Sequence, residues 1–272
     1  MPEKPEVITV QKQLKRKILN KKFTKVDVYW DNIIAFPSVE EFKQELIGKE
    51  IKDIYTRGKF LIFDLDEYSL LVHLRMEGKF FFRKIGDEKN KHDHVIFTLD
   101  DEEMRFHDVR KFGKIHLLKT DEMNNVKPLV NLGYEYSDPL LTKQYLHKKV
   151  KNKSLPVKTI LLDQSIIAGI GNIYADEILF LSNISPYKQG NKLTLKNCED
   201  IIHNTKIILE KAINLGGSTI KSFTSSEGVH GLFQNELLVH GHKGEECPNC
   251  TSLIDKVKIG GRGTYYCSNC QK

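Results

Sequence analysis

CPNC at 247–250 and CSNC at 267–270 bracket sixteen residues, TSLIDKVKIGGRGTYY, near the end of a 272-residue chain. Two Cys-x-x-Cys pairs at this spacing can each offer two thiolates to one tetrahedral zinc, and GGRGT between them turns a short hairpin. The alternatives are two disulfides or unligated thiols. A chain expected in the cytosol, with no other cysteine-rich region, argues against them. Four sulfurs close the coordination sphere, so Cys247, Cys250, Cys267 and Cys270 are expected to hold one structural zinc ion and not a catalytic one. The fifth cysteine, Cys198, sits in the helical stretch LTLKNCEDIIHNTKIILEKAI and reads as a packing residue.

Upstream of the hairpin the Gly- and Ser-rich stretch GGSTIKSFTSSEGVHG (216–231) reads as a loop. Before it, from about residue 120 to 214, the apolar period is helical, near SDPLLTKQYLHKKV, LPVKTILLDQ, GNIYADEILFLSN and LTLKNCEDIIHNTKIILEKAI. Residues 23 to about 119 are strand-like instead, at FTKVDVYW, KDIYTRGKFLIFDL, YSLLVHLRMEGKFFFRK, HVIFTLD and KIHLLK. Tight acidic turns such as DLDEY and LDDEEM separate them, and the pattern predicts an antiparallel sandwich. The first helix is predicted over EVITVQKQLKRKIL, behind MPEKP. Pro2 and Pro5 suit a helix start, and Glu3 and Glu6 complement its dipole.

Lys and Arg number 42 against 36 Asp and Glu, a net charge of +6 that suits a polyanionic partner. The longest apolar runs, FLIFDL and SLLVHL, are strand-sized, and no signal peptide is read ahead of the first helix, so the cytoplasm is the expected compartment. Within the helical region, Ala168-Gly-Ile-Gly-Asn172 precedes a helix start. Its glycines can leave the first N–H groups available to a phosphate, with Asn172 as an added donor; a plain turn with Asn172 as N-cap is the alternative. Arg262, at the hairpin tip, would grip the same kind of backbone.

MPExPEV at the terminus, RGKFL (57–61), HLRMEGKF (73–80), KHDHV (91–95), DVRKFG (108–113), GIGNIYADE (169–177) and the zinc finger ending YYCSNCQK together resemble the bacterial formamidopyrimidine-DNA glycosylase family, in order and over essentially the whole chain. The resemblance implies an α+β multidomain fold. Its parts are an N-terminal catalytic antiparallel β-sandwich with a flanking helix (1–119), a helix–two-turn–helix domain with a lesion-recognition loop (120–231), and a C-terminal four-cysteine zinc finger (232–272). It implies a base-excision repair enzyme that removes 8-oxoguanine and formamidopyrimidines from double-stranded DNA and then nicks the abasic site by β,δ-elimination. No diffusible cofactor is expected, and nothing demands more than a monomer.

The resemblance also gives the opening prolines a chemical task. Once Met1 is removed, which a small second residue permits, Pro2 is a secondary amine able to attack a sugar C1′. An α-amino group titrates near about 8, so a useful fraction is unprotonated at neutral pH. By family resemblance Pro2 is the nucleophile, Glu3 handles protons at the sugar, Lys59 donates in β-elimination and Arg262 serves δ-elimination. Met76, Arg110 and Phe112 match the residues that fill the void left by a flipped base. His73, His92, Asn172 and Arg262 match backbone contacts, and Lys153 in KKVKNKSLP matches a basic position.

The sequence departs from the family pattern at Lys4, usually leucine, at LGYEYSD in place of LGPEPLSD, and at His240, commonly tyrosine. The first two read as changes of packing or surface. His240 replaces one phosphate contact with an imidazole, which can also donate to phosphate. An endonuclease VIII-like enzyme for oxidised pyrimidines is the near alternative, although it usually starts PEGPE. A non-catalytic zinc-ribbon DNA-binding protein is the distant one, and it needs no Pro2 amine.

Overall fold

A computed structural model describes residues 1–218 and 231–272. Most of the stretch read as the lesion-recognition loop therefore lies outside the described residues. Backbone contacts divide the chain into two compact units, Met1–Val130 with Ser218–Gly231, and Asn131–Gly217 with Leu232–Lys272.

In the first unit, α1 (Lys4–Ile18) buries Val7, Val10, Leu14 and Ile18, a three-four-four spacing that makes one apolar stripe. Two sheets follow. One has the order β1 (Lys25–Val28), β7 (Asp93–Thr98), β8 (Glu103–His107), β6 (Lys79–Arg83). The other runs β2 (Ile34–Phe36), β9 (Lys114–Lys119), β5 (Tyr68–His73), β4 (Phe60–Asp64), β3 (Asp53–Arg57). Leu61, Phe63, Leu70, Val72, Ile115 and Leu117 of one sheet share a core with Phe80, Val95, Phe97, Met104 and Phe106 of the other.

The strands are antiparallel except β2, which runs parallel to β9. Besides the three-residue β2, two elements escaped the sequence reading. The acidic turn predicted over LDDEEM is shorter than expected, and its end is the start of β8. There Arg105 is buried against Glu103 (Nη2–Oε2 2.5 Å) and Asp93 (Nη1–Oδ2 3.4 Å), so a charge-rich strand is neutralised inside the fold. The second is α2 (Val39–Leu46), mostly polar, which hides Phe42 and Leu46 one turn apart; Phe42 meets the Phe97 ring edge-on at 6.4 Å.

In the second unit α3 (Lys143–Val150) and α6 (Leu195–Asn214) begin at Thr142 and Thr194, whose hydroxyls accept the Tyr145 and Asn197 N–H groups. With α4 (Val157–Leu161) and α5 (Asn172–Leu181) they enclose Leu146, Ile160, Tyr174, Ile178, Ile201 and Leu209. Cys198 is buried in the same core, as its helical context predicted. The hairpin of β10 (Asp255–Ile259) and β11 (Arg262–Tyr266) turns at Gly260-Gly261, both with positive φ (+54° and +78°), the backbone a tight two-residue turn needs.

Two loops of the first unit converge on one ring. A Cβ on Gly78, after the 74–77 turn, would lie 2.9 Å from the Phe106 ring; one on Gly113, closing the 108–113 loop, would lie 2.5 Å from it. Gly113→Ala should therefore destabilise the protein by about 1–3 kcal/mol through overpacking. Urea unfolding of the purified variant measures this directly, and an unchanged midpoint would show that Phe106 yields.

Candidate functional site

The first residues are held by charge. Pro2 is buried, and Glu3, Lys4 and Glu6 are 3, 4 and 5% exposed. Glu3 is the N-cap of α1; Glu6, at its third position, accepts the Glu3 N–H through Oε2 (2.9 Å), closing a capping box. The other Glu6 oxygen accepts the Ser218 N–H (2.8 Å) and hydroxyl (3.1 Å). Read from sequence, Glu6 only complemented a dipole; in the fold it ties residue 3 to residue 218. Lys4 is not a surface change. Its Nζ donates to Thr56 Oγ1 (2.7 Å) and Thr56 O (3.3 Å) in β3.

Lys59 is 5% exposed and follows Gly58 (φ +56°) in the two-residue turn between β3 and β4, Arg57 pairing with Phe60. Across from Phe60 in β5 stands His73, its ring edge-on to Phe60 at 4.7 Å. Its Nδ1 accepts the Arg75 N–H (2.9 Å), which leaves the ring proton on Nε2. Burial, then the charges of Arg75 and Lys59, hold the imidazole down at about 3, so His73 is a neutral donor at working pH.

The 74–78 turn carries half-buried Met76. The 108–113 loop is shaped by buried Asp108, whose carboxylate accepts the Arg110 N–H (3.0 Å) and Gly113 N–H (2.7 Å). It presents Arg110 and Phe112 outward, the guanidinium 4.9 Å from the ring, with Phe112 49% exposed. Through Phe106 the fold brings these two loops together. His92 lies beside His107, ring centroids 5.6 Å apart, and His107 bonds Asp93 (2.8 Å). Sequence reading missed Asp108 and Phe106, which carry no chemistry of their own.

In the second unit Gly171, not Asn172, is the N-cap of α5. Asn172 Nδ2 donates to Gly263 O (2.9 Å), setting it beside exposed Arg262. Lys153 is half-buried in the turn after α3. His240 packs against Tyr265 with ring centroids 4.8 Å apart and the planes tilted by 59°, and its Nδ1 meets Asp176 Oδ2 (2.7 Å). Asp176 also accepts from fully buried Lys158 (2.5 Å), and Glu177 accepts the N–H groups of Leu238, Val239 and His240. Burial pushes the Glu177 carboxyl up, and those three donors oppose the shift.

The four sulfurs of Cys247, Cys250, Cys267 and Cys270 lie within 4.8 Å of one another. Cys250–Cys267 is 3.5 Å and Cys247–Cys270 3.9 Å. A tetrahedron of zinc–sulfur bonds requires edges of about 3.8 Å, so the donor set fits zinc in both chemistry and size. Nothing in a closed four-sulfur site leaves a position for substrate.

Sequence comparison agrees with this geometry. Residues 1–115 match the formamidopyrimidine-DNA glycosylase N-terminal domain, 132–224 the H2TH domain of the same glycosylase, and 244–272 the zinc finger found in these glycosylases and in isoleucyl-tRNA synthetase. The chain belongs to the formamidopyrimidine-DNA glycosylase family. It is 44% identical over 273 residues to the enzyme of Oceanobacillus iheyensis, covering 100% of this chain and 98% of that one. To that of Bacillus subtilis it is 43% identical, covering 100% and 99%. Among solved structures, the Lactococcus lactis enzyme with abasic-site DNA superposes with a TM-score of 0.93 at 37% identity, covering 99% of each chain. A Gly-to-Pro variant of that enzyme with Fapy-dG DNA gives 0.93 at 37%, covering 100% of each.

The family's zinc finger is here one structural zinc site. Metal analysis should return one equivalent per chain, and chelation should unfold the hairpin and weaken DNA binding while the sandwich stays folded. Active protein without zinc would contradict this. His73 gives a second expectation. Its folded pKa lies below the unfolded value of 6.5, so between about pH 6.5 and 3 only the unfolded state gains the proton. Stability should fall as pH drops through that window. His73→Leu should show a smaller loss between pH 7.5 and 5 in urea unfolding.

Proposed function

We propose that this chain excises oxidised purines from duplex DNA and then cleaves the strand at the abasic site, with Pro2 as nucleophile. The observation that carries the reading is the buried start of α1. There Pro2 and Glu3 sit at a capped helix N-terminus, and Lys4 joins that terminus to the strand leading into the Lys59 turn.

With Met1 removed, the Pro2 nitrogen lone pair attacks C1′, the C1′–N9 bond breaks with its electrons leaving on the base, and the proton lost from the Pro2 nitrogen neutralises that base. Glu3 delivers a proton to O4′ as the sugar ring opens to an iminium. Loss of a C2′ proton expels the 3′ phosphate in β-elimination, with Lys59 as acid; a second elimination, served by Arg262, expels the 5′ phosphate. The resulting iminium is hydrolysed to return the Pro2 amine.

Extrusion of the base costs a few kcal/mol of stacking, and Met76, Arg110 and Phe112 fill the space it leaves. The exposure of Phe112 and the common seating of both loops on Phe106 support that role. His73, His92, Lys153, Asn172 and Arg262 grip phosphates, consistent with the net charge of +6. Zinc held by Cys247, Cys250, Cys267 and Cys270 supplies folding energy to the hairpin that presents Arg262. The sequence-based division into a catalytic domain (1–119), an H2TH domain with its loop (120–231) and a zinc finger (232–272) is kept as the functional one. No described helix is long and apolar enough to cross a membrane, and we place the work on DNA in the bacterial cytoplasm.

Borohydride added during turnover on an 8-oxoguanine duplex should reduce the iminium and leave a protein–DNA adduct that peptide mapping places on Pro2. Protein that retains Met1 should trap nothing, because an amide nitrogen has no available lone pair. Glu3→Gln should bind DNA but excise at least about a hundredfold more slowly. An adduct on a lysine would refute the nucleophile. The Lactococcus lactis enzyme is also known in complex with DNA containing an oxidised pyrimidine, so the duplex panel should include one. Binding without excision of any lesion would favour the non-catalytic alternative.

A further inference from the structure

The reaction scheme leaves Lys4 without a task. It is the first residue of α1 and 4% exposed, at the helix end whose dipole disfavours a cation. Ordering a long side chain and burying its ammonium both oppose folding, whereas a leucine there would lose less side-chain freedom and bury no charge. Packing alone does not account for a lysine. Its Nζ reaches Thr56 by two hydrogen bonds, to Oγ1 at 2.7 Å and to the carbonyl at 3.3 Å. Thr56 precedes Arg57, which pairs with Phe60 across the Gly58-Lys59 turn.

We propose that Lys4 is a positioning residue for the Pro2 amine: it pins the first turn of α1 to the hairpin bearing Lys59, and its charge favours the unprotonated, nucleophilic form of Pro2. The inference rests on the Pro2 reading above. A protonated Pro2 meets like charge from Lys4, two residues along the chain, and from the positive end of α1, while the hairpin to which Lys4 is tied carries two further cations, Arg57 and Lys59. Glu3 at the cap and Glu6 in the first turn of α1 oppose that effect. His73 on β5 is neutral and adds no charge, and Ser218 brings only a hydroxyl and an N–H to Glu6. Lys4 therefore tips a balance between two acids and several cations, two residues from the reacting nitrogen. Its removal should make the amine easier to protonate and move the acidic limb of the reaction upward.

The test is the initial rate of borohydride trapping on a preformed abasic site from pH 5 to 9, which bypasses base flipping. In Lys4→Leu, and in Lys4→Met as a second variant, the acidic limb should move up by about half to one pH unit. Such a displacement means a threefold to tenfold loss near pH 6 and little loss near pH 8.5. Lys4→Arg should keep the wild-type limb. Thr56→Val, which keeps the charge and removes one anchor, should slow trapping at every pH without displacing the limb. Intact mass confirms Met1 removal, and circular dichroism confirms folding. A limb in the same place for Lys4→Leu and Lys4→Met, or an equal loss at all pH values for Leu, Met and Arg, would overturn the proposal. Absence of a Pro2 adduct in the wild-type protein at any pH would instead overturn the reading on which it rests.

Discussion

The Glu6 carboxylate is the interaction on which the start of α1 depends. A buried carboxylate is tolerated only if its oxygens are met by donors, and Glu6 receives the Glu3 N–H on one oxygen and the Ser218 N–H and Oγ on the other. One contact is local and starts a helix. The others reach 212 residues along the chain. Helix initiation, the setting of Glu3 and Pro2, and the point where the chain enters residues 219–230 thus share one group. Loss of that group would strand the Ser218 donors in a buried place and release the first turn of α1.

The same logic recurs in the second unit. Glu177, buried on α5, accepts three successive backbone N–H groups from residues 238–240, and its neighbour Asp176 is shared by Lys158 and His240. The segment leading to the zinc hairpin is thereby fixed to the helices before the metal site begins. Gln271 adds a closing tie, accepting the Cys267 N–H and donating to Ile184 O. His240 is part of this device. Its Nδ1 is committed to Asp176, so only the Nε2 side of the ring remains for a ligand.

Motifs whose chemistry depends on spacing were legible without coordinates. The two Cys-x-x-Cys pairs predict a zinc site because a tetrahedral ion requires four donors within a few ångströms, and two short turns joined by a hairpin provide them. The first helix and the helical segments that become α3 and α6 follow from apolar periodicity. β8 and α2 were not legible. β8 hides its core residues among charges that are neutralised by Glu103 of the same strand and Asp93 of another, and the mostly polar α2 fully buries only Phe42 and Leu46. Phe106 and Asp108 were silent for a related reason: their importance lies in which loops rest on them.

The amino-acid sequence by itself determined the succession of a strand-rich and a helix-rich region, the metal donor set and the proline at the second position, because each depends on neighbours within a few residues. Tertiary structure alone decided that Glu6 bridges residues 3 and 218, that His73 is held neutral beside Lys59, and that the Met76 and Phe112 loops share one ring. It also showed that Lys4, read from sequence as a change of packing or surface, is a buried ammonium bonded to Thr56. Burial and the approach of distant charges set these properties, and neither is encoded in local spacing.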